Sequence, residues 1–415
     1  MNKPVPHPPA QQSPARDARK RRPQTQAGAP SGTTPPPETA KDTGPEDTAR
    51  LPIGSLRAFE QIMTNDLGNP AMAASIPARR HPPEPAHDRL GLRLGVVGST
   101  YLGQCLEQTC RLTRLRPLEA ARDWPEALAG LDMVLIEVCW SYQFPGWAPL
   151  MRDPTAPTRR DSALAGLLGA CRDRGVPVAL WITEDRTSLD VFAHLHGVGD
   201  ATFAADPAVA RALDGAHEVL PAVCPALTNP LVRDPEGQQF VARNFGLVSD
   251  SYNELCGFDS DSPVPGLLEP ALDYLFWIFE TRFLMRNNNA RLAKDFRRRF
   301  IGCLEDADRA LILKHAQVYL SAVPRPGIAQ PDKIRNMLEA MAAKTAVVTN
   351  LAPVIDALEP FVSRTGDPQA VRAALHGLTH NPHLHRMTTH LAYREVMTRH
   401  TYADRLAQMG AVLGL

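Results

Sequence analysis

Three charged side chains, Lys333, Arg335 and Glu339, lie within one short segment in the last quarter of the chain. Apolar residues recur at every third or fourth position around them, and Asp332 suits the N-cap, so the sequence predicts a helix that begins at about Asp332. A lysine and an arginine near a helix N-terminus lie beside unpaired backbone N–H groups, and together these donors favour an anion such as a diphosphate. One turn further on, the Glu339 carboxylate can accept two hydrogen bonds from a sugar or ribose diol.

The segment after this helix predicts a buried strand. Residues 346–349 read Ala-Val-Val-Thr, an apolar run with β-branched residues that is typical of a strand covered on both faces in a parallel sheet. In open parallel sheets, ligands bind outside the carboxyl ends of the strands, where the amino ends of the helices also lie. The anion site is therefore predicted at the edge of such a sheet.

Acidic residues follow two predicted strands in the amino-terminal half. Glu137 closes the apolar run 131–137, and Glu184 and Asp185 follow the run 178–182 after one threonine. Carboxylates at the carboxyl edge of a parallel sheet face a ligand cleft, so we predict a catalytic role for Glu184 and a catalytic or acceptor-binding role for Asp185. For Asp185, capping of the next helix is an equally good interpretation, because a carboxylate there accepts orphan backbone N–H groups.

The spacing of these elements predicts an α/β first domain. An apolar run at 94–98, a glycine-containing turn and a helix open it, and a helical segment at 161–174 separates the two strands just described. Strand, helix and strand at this spacing give a right-handed crossover and a parallel sheet. The glycines around Gly98 lack the dinucleotide spacing G-x-G-x-x-G, so a tight turn needed only for packing explains them at least as well as a ligand site.

The second domain has fewer recognisable strands. Between residues 237 and 320, only 240–248 and 317–321 have an extended pattern, whereas the aromatic-rich run 267–283 has helical spacing. The predicted fold class is therefore α/β, with two Rossmann-like lobes of which the second is reduced or divergent. The predicted organisation is a disordered proline-rich tail over 1–90, a first domain over 91–235, a second over 236–390 and a closing helix over 391–415 that packs back across the lobes.

Composition excludes several classes of function. The 45 basic and 45 acidic residues give a formal net charge of zero, so no global basic field favours nucleic acid or an anionic membrane surface. Seven cysteines without a C-x-x-C motif indicate free thiols in a reducing compartment. No run reaches the roughly 18 apolar residues of a membrane span, and no apolar signal segment opens the chain. We therefore expect a cytoplasmic protein with no nucleic-acid partner and no membrane span, while peripheral membrane association stays open.

Six histidines between residues 376 and 400 suggest a metal site, but their arrangement argues against one. No cysteine accompanies them, no H-E-x-x-H motif places two of them on one helix face, and Asn381-Pro382 interrupts the helical pattern. We therefore expect no metal ligands and no bound cofactor.

The run P-x-K-x-R-x-x-x-E-A-M-A at 331–342, followed by a Val-Val-Thr strand, resembles the nucleotide-sugar region of two-domain glycosyltransferases, in particular the spore-maturation CgeB-like family. Three further segments, 132–140, 176–207 and 393–406, are similar to other parts of that family in the same order. The resemblance covers the chain from about residue 92 to its last residue and is weakest between 237 and 321.

This resemblance implies a hexosyltransferase-like enzyme of the two-lobed GT-B type that works without a bound metal. Its donor would be a nucleotide-diphosphate sugar in the cleft, and its acceptor a glycan or another molecule. Lys333 and Arg335 would neutralise the leaving diphosphate in place of a metal, and Glu339 would bind the ribose or the sugar. The resemblance favours retention of the anomeric configuration.

Two positions depart from the pattern of this family. Pro331 stands where related transferases often have a second acidic residue, and Ala343-Lys344 replaces the glycine of the helix-to-strand turn. The alternative function is a catalytically silent glycosyltransferase-like protein that binds a partner or a glycan. A positively charged cleft with Glu339 pointing into it would favour the enzyme, and a cleft filled by side chains would favour the silent protein. Another phosphate-binding α/β enzyme would need a nucleophile beside the turn at 98–103, and the sequence offers no convincing one.

Overall fold

The computed structural model of the 415-residue chain describes residues 90–117, 123–139, 147, 159–230, 246–255, 261–280, 293–304 and 306–415. The predictions for the tail over 1–89 lie outside these residues. Two six-stranded parallel sheets organise the described residues, one in an amino-terminal lobe and one in a carboxyl-terminal lobe. The predicted α/β class with two Rossmann-like lobes is therefore confirmed.

The amino-terminal lobe alternates strands with helices. Its strands are β1 (Arg93–Val97), β2 (Arg111–Arg114), β3 (Met133–Val138), β4 (Val178–Ile182), β5 (Ala201–Ala204) and β6 (His217–Glu218). Its helices are α1 (Thr100–Glu107), α2 (Trp124–Ala127), α3 (Arg159–Arg174), α4 (Leu189–Phe192), α5 (Pro207–Ala212) and α6 (Pro225–Thr228), with short 3₁₀ helices at Arg186–Ser188 and Ala193–Leu195.

The first sheet has the strand order β2-β1-β3-β4-β5-β6. Every residue of β3 and β4 is buried, because helices cover both faces of a parallel sheet. The bounds of β4 are those predicted from its apolar run, and it pairs in parallel with β3, with α3 between the two strands in the chain.

The carboxyl-terminal lobe repeats this alternation. Its strands are β7 (Leu247–Ser249), β8 (Phe276–Glu280), β9 (Phe300–Cys303), β10 (Val318–Ser321), β11 (Ala346–Thr349) and β12 (Val362–Arg364). Its helices are α7 (Tyr252–Leu255), α8 (Val264–Leu268), α9 (Lys294–Arg297), α10 (Asp306–His315), α11 (Pro331–Ala342), α12 (Pro368–His380) and α13 (Pro382–Arg399), with 3₁₀ helices at Glu269–Asp273 and Asp356–Phe361.

The second sheet, ordered β12-β11-β10-β7-β8-β9, has as many strands as the first, so the lobe is not reduced. The expectation of a helix over 267–283 is wrong, because this run contains a 3₁₀ helix and then β8, whose five residues are all buried. A short apolar run that is buried on both faces has no periodicity to separate strand from helix, which explains the error. By contrast, the predicted strand at 346–349 and the helix beginning near Asp332 are both observed.

The last helix returns to the amino-terminal lobe. Helix α13 packs on α11 in the carboxyl-terminal lobe, and after His400 the chain continues as α14 (Tyr402–Leu413). The apolar face of α14 lies in one buried cluster with residues of β1, α1, β3 and β5. The segment predicted as one closing helix over 391–415 is thus divided at His400, with one part on each lobe.

Arg405 of α14 fastens the connection between the lobes. Its guanidinium donates to the main-chain oxygens of Leu220 at 2.9 Å and Pro221 at 3.3 Å, both in the segment between the two sheets. The backbone of the same segment pairs with the start of α14, since the Val223 N–H donates to the His400 oxygen at 2.9 Å. These contacts hold the linker against the end of the chain.

Two findings bear on the predictions from composition. The cysteines whose side chains the structure describes, at positions 105, 110, 139, 171 and 224, are free thiols. In the part of the chain that is described, no helix combines the length and apolar character needed to cross a membrane.

Candidate functional site

The strand orders locate the candidate site. Neighbouring strands lead to opposite sides of the sheet between β1 and β3 in the first sheet, and between β7 and β10 in the second. Ligands of open α/β sheets bind outside the carboxyl ends of the strands at such a switch point. Helix α1 follows β1, helix α11 follows β10, and the two touch across the lobes through Tyr101 and Glu339. The site therefore lies where the two switch points meet.

Lys333 lies at the switch point of the carboxyl-terminal lobe and is buried among carboxylates. Its Nζ donates to the main-chain oxygen of Asp250 at 2.8 Å. The same Nζ lies 3.2 Å from Asp250 Oδ2 and 3.0 Å from Glu254 Oε1. Asn336, on the same helix, donates to Asp250 Oδ2 at 2.6 Å. The Lys333 ammonium is thus bound by side chains of its own lobe.

The surrounding charges fix the protonation state of Lys333. Burial lowers the pKa of this lysine, but the carboxylates of Asp250, Glu254 and Glu280 outweigh burial, and the pKa is raised above the ordinary lysine value. Burial also raises the pKa of Glu254, and Lys333 opposes that shift. The ammonium therefore stays charged at neutral pH and is held by its acidic neighbours.

Glu339 is fully buried and paired on both oxygens. Arg309 of α10, which is also fully buried, donates from Nε to Oε2 at 2.8 Å and from Nη2 to Oε1 at 3.0 Å. The Tyr101 hydroxyl, which comes from the amino-terminal lobe, donates to Oε1 at 2.5 Å. Glu339 therefore points to the contact between the lobes. Side chains of the protein donate the hydrogen bonds that a sugar or ribose diol was expected to donate.

Arg335 keeps access to solvent. Its side chain is 19% exposed, and its guanidinium lies 3.9 Å from the Asp332 carboxylate and 4.0 Å from that of Glu339. Its guanidinium carbon lies 5.3 Å from the centroid of the Tyr101 ring, and that of Arg309 lies at the same distance. Of the three residues predicted on α11, Arg335 is thus the one best placed to meet an anion from solvent.

The switch point of the amino-terminal lobe is organised by Glu137. The Ser99 N–H donates to Glu137 Oε2 at 2.7 Å, and the Thr183 hydroxyl lies 3.4 Å from Oε1. A Cβ on Gly98 would lie 3.1 Å from that same Oε2, closer than ordinary van der Waals contact. Gly98 therefore permits the close approach of Glu137, which agrees with the packing interpretation of this turn.

The two predicted catalytic carboxylates have different surroundings. Asp185 accepts hydrogen bonds from the Thr187 N–H at 2.8 Å and from the Thr187 hydroxyl, and it thereby caps the 3₁₀ helix Arg186–Ser188. These are the contacts of the capping interpretation. Glu184 lies at the carboxyl end of β4 and is 4% exposed.

Lys344 takes the place of the expected turn glycine. Its φ of +57° is a left-handed conformation that glycine adopts more easily, and its Nζ lies 4.9 Å from the centroid of the Tyr393 ring of α13. The lysine side chain is therefore directed towards α13.

In the histidine-rich segment, side chains pack against each other and cap a helix. His376 and His380 stack with their ring centroids 4.3 Å apart, and Asn381 caps α13 by accepting the Leu384 N–H at 3.0 Å. Within the described residues, no group of three or more His, Cys, Asp or Glu is arranged to hold a metal ion.

Three residues of the site were not singled out from the sequence: Tyr101, Arg309 and Asp250. Asp250 directly follows β7, which is the signal that identified Glu184 after β4. Arg309 precedes the apolar run 310–313, but a charge beside such a run does not by itself reveal a buried partner. Tyr101 carries no comparable signal, because its partner lies 238 residues away.

The sequence matches no protein-family model and no curated protein. The structure is similar to that of WaaG, a glycosyltransferase involved in lipopolysaccharide biosynthesis, with a TM-score of 0.48, 10% identity and coverage of 78% of this chain and 100% of that chain. It is also similar to Anabaena Alr3699/HepE in complex with UDP and glucose, with a TM-score of 0.46, 13% identity and coverage of 78% and 91%.

A third similar structure is a putative UDP-N-acetylglucosamine 2-epimerase from Listeria monocytogenes, with a TM-score of 0.43, 10% identity and coverage of 78% and 95%. Identities and TM-scores this low do not establish an activity. The chain itself shows two parallel-sheet lobes with a charged site where their switch points meet.

Proposed function

We propose that this protein is a glycosyltransferase that moves a sugar from a nucleotide-diphosphate sugar to a glycan or another acceptor, with its own cations in place of a bound metal. A hexosyltransferase of the CgeB-like type, acting in the cytoplasm, is the specific form of this proposal. The sequence resemblance at 331–342 favours that form.

One observation carries the proposal: the switch points of both sheets converge on helix α11. This is the place where two parallel-sheet lobes bind a ligand between them. Arg335 lies in the first part of α11, partly exposed, where backbone N–H groups of the helix N-terminus add to its positive charge. The chemistry there suits a diphosphate.

The proposed mechanism assigns a role to each predicted residue. Arg335 and the N-terminus of α11 stabilise the charge that develops on the leaving diphosphate. Lys333 supports them from the buried side, where Asp250 and Glu254 fix its position. Glu184 acts as the acid or base at the acceptor hydroxyl.

Two residues keep secondary assignments in this mechanism. Glu339 binds the ribose or sugar once Tyr101 has left it. Asp185 is the second carboxylate candidate, although its observed contacts are those of a cap.

Calorimetric titration of the full chain with uridine, guanosine and thymidine diphosphates and their sugars tests the proposal. We expect one nucleotide to bind in the micromolar range and Arg335→Ala to weaken that binding at least tenfold. Arg372→Ala, which removes an arginine paired with Asp273 on the surface of the same lobe, is the matched control and should bind as the wild type does. Equal affinity in both variants, or no binding by folded wild-type protein, contradicts the proposal.

A specific observation favours a second candidate, a catalytically silent glycosyltransferase-like binding protein. Lys333 is held by Asp250 and Glu254, and Glu339 is held by Arg309 and Tyr101. A site filled by the side chains of the protein is the arrangement expected for this alternative. Hydrolysis of the donor sugar in the absence of an acceptor separates the two, because only an active transferase releases the nucleoside diphosphate.

A further inference from the structure

The Glu339 carboxylate accepts hydrogen bonds from both lobes. Only the donor from the opposite lobe can be replaced by an incoming group without disturbing the lobe that carries Glu339. Arg309 approaches the carboxylate from the same lobe and binds both oxygens, at 2.8 and 3.0 Å. This bidentate contact fixes the plane of the carboxylate. The third hydrogen bond to Glu339, at Oε1, comes from Tyr101 of the opposite lobe.

Tyr101 presents to Glu339 the chemistry of a ligand. A hydroxyl donates to the carboxylate at 2.5 Å, and an aromatic ring lies 5.3 Å from each of two guanidinium carbons. Burial raises the pKa of Tyr101 well above its ordinary value, so the hydroxyl stays protonated and can donate at neutral pH. A ribose or sugar hydroxyl is a donor of the same kind, and it would need the same oxygen.

We propose that Tyr101 is an internal ligand of the Glu339 site and that a nucleoside diphosphate must displace it, so that this hydrogen bond contributes to lobe closure and lowers the affinity for the donor. This inference rests on the proposed function, because it takes Glu339 as the residue that meets the ligand hydroxyls. Displacement moves Tyr101 away from Arg335 as well, and it uncovers the guanidinium for the diphosphate.

The position of Tyr101 in the fold supports a displaceable contact. It is the second residue of α1 and packs in a buried cluster of the amino-terminal lobe, so it moves with that lobe when the lobes separate. The Arg309–Glu339 pair lies wholly within the carboxyl-terminal lobe and is unaffected by that movement. The carboxylate thus stays oriented while its third donor is exchanged.

The test compares Tyr101→Phe with a matched control in the full chain. Tyr101→Phe keeps the ring beside the guanidiniums and removes only the hydroxyl. Tyr402→Phe removes the hydroxyl of another buried tyrosine, on α14, whose ring packs edge-on against Trp181. Uridine, guanosine and thymidine diphosphates are titrated into each protein by calorimetry, and hydrogen exchange of α1 and α11 is measured without nucleotide.

We expect Tyr101→Phe to bind the preferred diphosphate about tenfold more tightly than the wild type, since a competitor for Oε1 has been removed. Hydrogen exchange in α1 and α11 should rise in the same variant. Tyr402→Phe should change neither. Unchanged or weaker binding in Tyr101→Phe, with the wild type binding normally, overturns the internal-ligand proposal while leaving the proposed function intact.

Absence of binding in all three folded proteins overturns both proposals together. The exchange measurement still has a result in that case. Faster exchange in Tyr101→Phe alone would show that Tyr101 is only a joint between the lobes, and unchanged exchange would show that its hydroxyl does not hold them.

Discussion

The ion pair between Arg309 and Glu339 gives the sharpest test of how the site is built. Both side chains are 0% exposed and 2.8 Å apart, so neither charge can turn to water when the other is removed. Breaking a buried pair by removing one partner typically costs about 3–5 kcal/mol, because the remaining charge is left uncompensated. We therefore expect Glu339→Leu to lower the free energy of unfolding by about 3–5 kcal/mol, a large part of the 5–15 kcal/mol that is usual for a folded protein.

The double variant Glu339→Leu/Arg309→Met separates charge from packing. Replacing both partners by apolar residues of similar volume is often neutral, so the double variant should recover at least about 2 kcal/mol relative to Glu339→Leu. Tyr101→Phe is added to every variant so that the tyrosine hydroxyl is not left without an acceptor. Urea unfolding, followed by circular dichroism and by tryptophan fluorescence, measures these differences.

A surface pair is the control for this experiment. Arg399, which is 69% exposed, pairs with Glu395 at 3.1 Å along α13, and Arg399→Ala should cost no more than about 0.5 kcal/mol. If Glu339→Leu costs as little as Arg399→Ala, or if the double variant is no more stable than the single one, the carboxylate is solvated. The description of a filled joint between the lobes would then be refuted.

Three further predictions concern catalysis and pH. Glu184→Gln should lower the turnover of the donor sugar about 100-fold or more, as expected for loss of an acid or base. Asp185→Asn should leave turnover and stability nearly unchanged, because asparagine also caps helices. Equal effects of the two changes on the initial rate would contradict these roles. Burial and the neighbouring Arg405 guanidinium lower the pKa of His400 to about 4, so the unfolded chain binds a proton below about pH 6.5 that the folded chain does not. Stability should fall as the pH drops from 7 to 5, by about 1–2 kcal/mol more in the wild type than in His400→Asn, and parallel urea midpoints of the two proteins would refute this. Burial lowers the pKa of Lys314 to about 8, so the unfolded chain binds the extra proton above that pH and stability should rise with pH, by about 1–2 kcal/mol between pH 8 and 9.5. Urea unfolding of Lys314→Met at the same two pH values should show no such rise, and a rise equal to that of the wild type would place the lysine in solvent.

The proposed site also predicts how the reaction responds to chelators and to salt. If Arg335 and the N-terminus of α11 carry the charge of the leaving group, chelators should leave turnover unchanged, and salt should weaken donor binding because Arg335 is partly exposed. Loss of activity on chelation, restored by a divalent ion, would contradict the assignment of charge stabilisation to these groups.

The local sequence pattern predicted a helix or strand correctly wherever that element has a characteristic periodicity or composition. The β-branched run of β11, the apolar run of β4 and the helical spacing of α11 are observed at or within a residue or two of the predicted bounds. The α/β class follows from the order of such elements along the chain. The prediction failed where the pattern fits both a helix and a strand. In β8 the run Phe-Trp-Ile-Phe-Glu is compatible with a buried helix as well as with a buried strand.

The sequence by itself determined which helix carries the charged residues and on which edge of the sheet that helix begins. It could not determine what those charges contact, because a hydrogen bond between residues 101 and 339 leaves no trace in local spacing. Only the tertiary structure showed that Arg309 and Tyr101 donate hydrogen bonds to Glu339. It also showed that Asp250 and Glu254 form ion pairs with Lys333. The physical reason is that a buried charge must be compensated, and its partners are supplied by whatever elements the fold brings together.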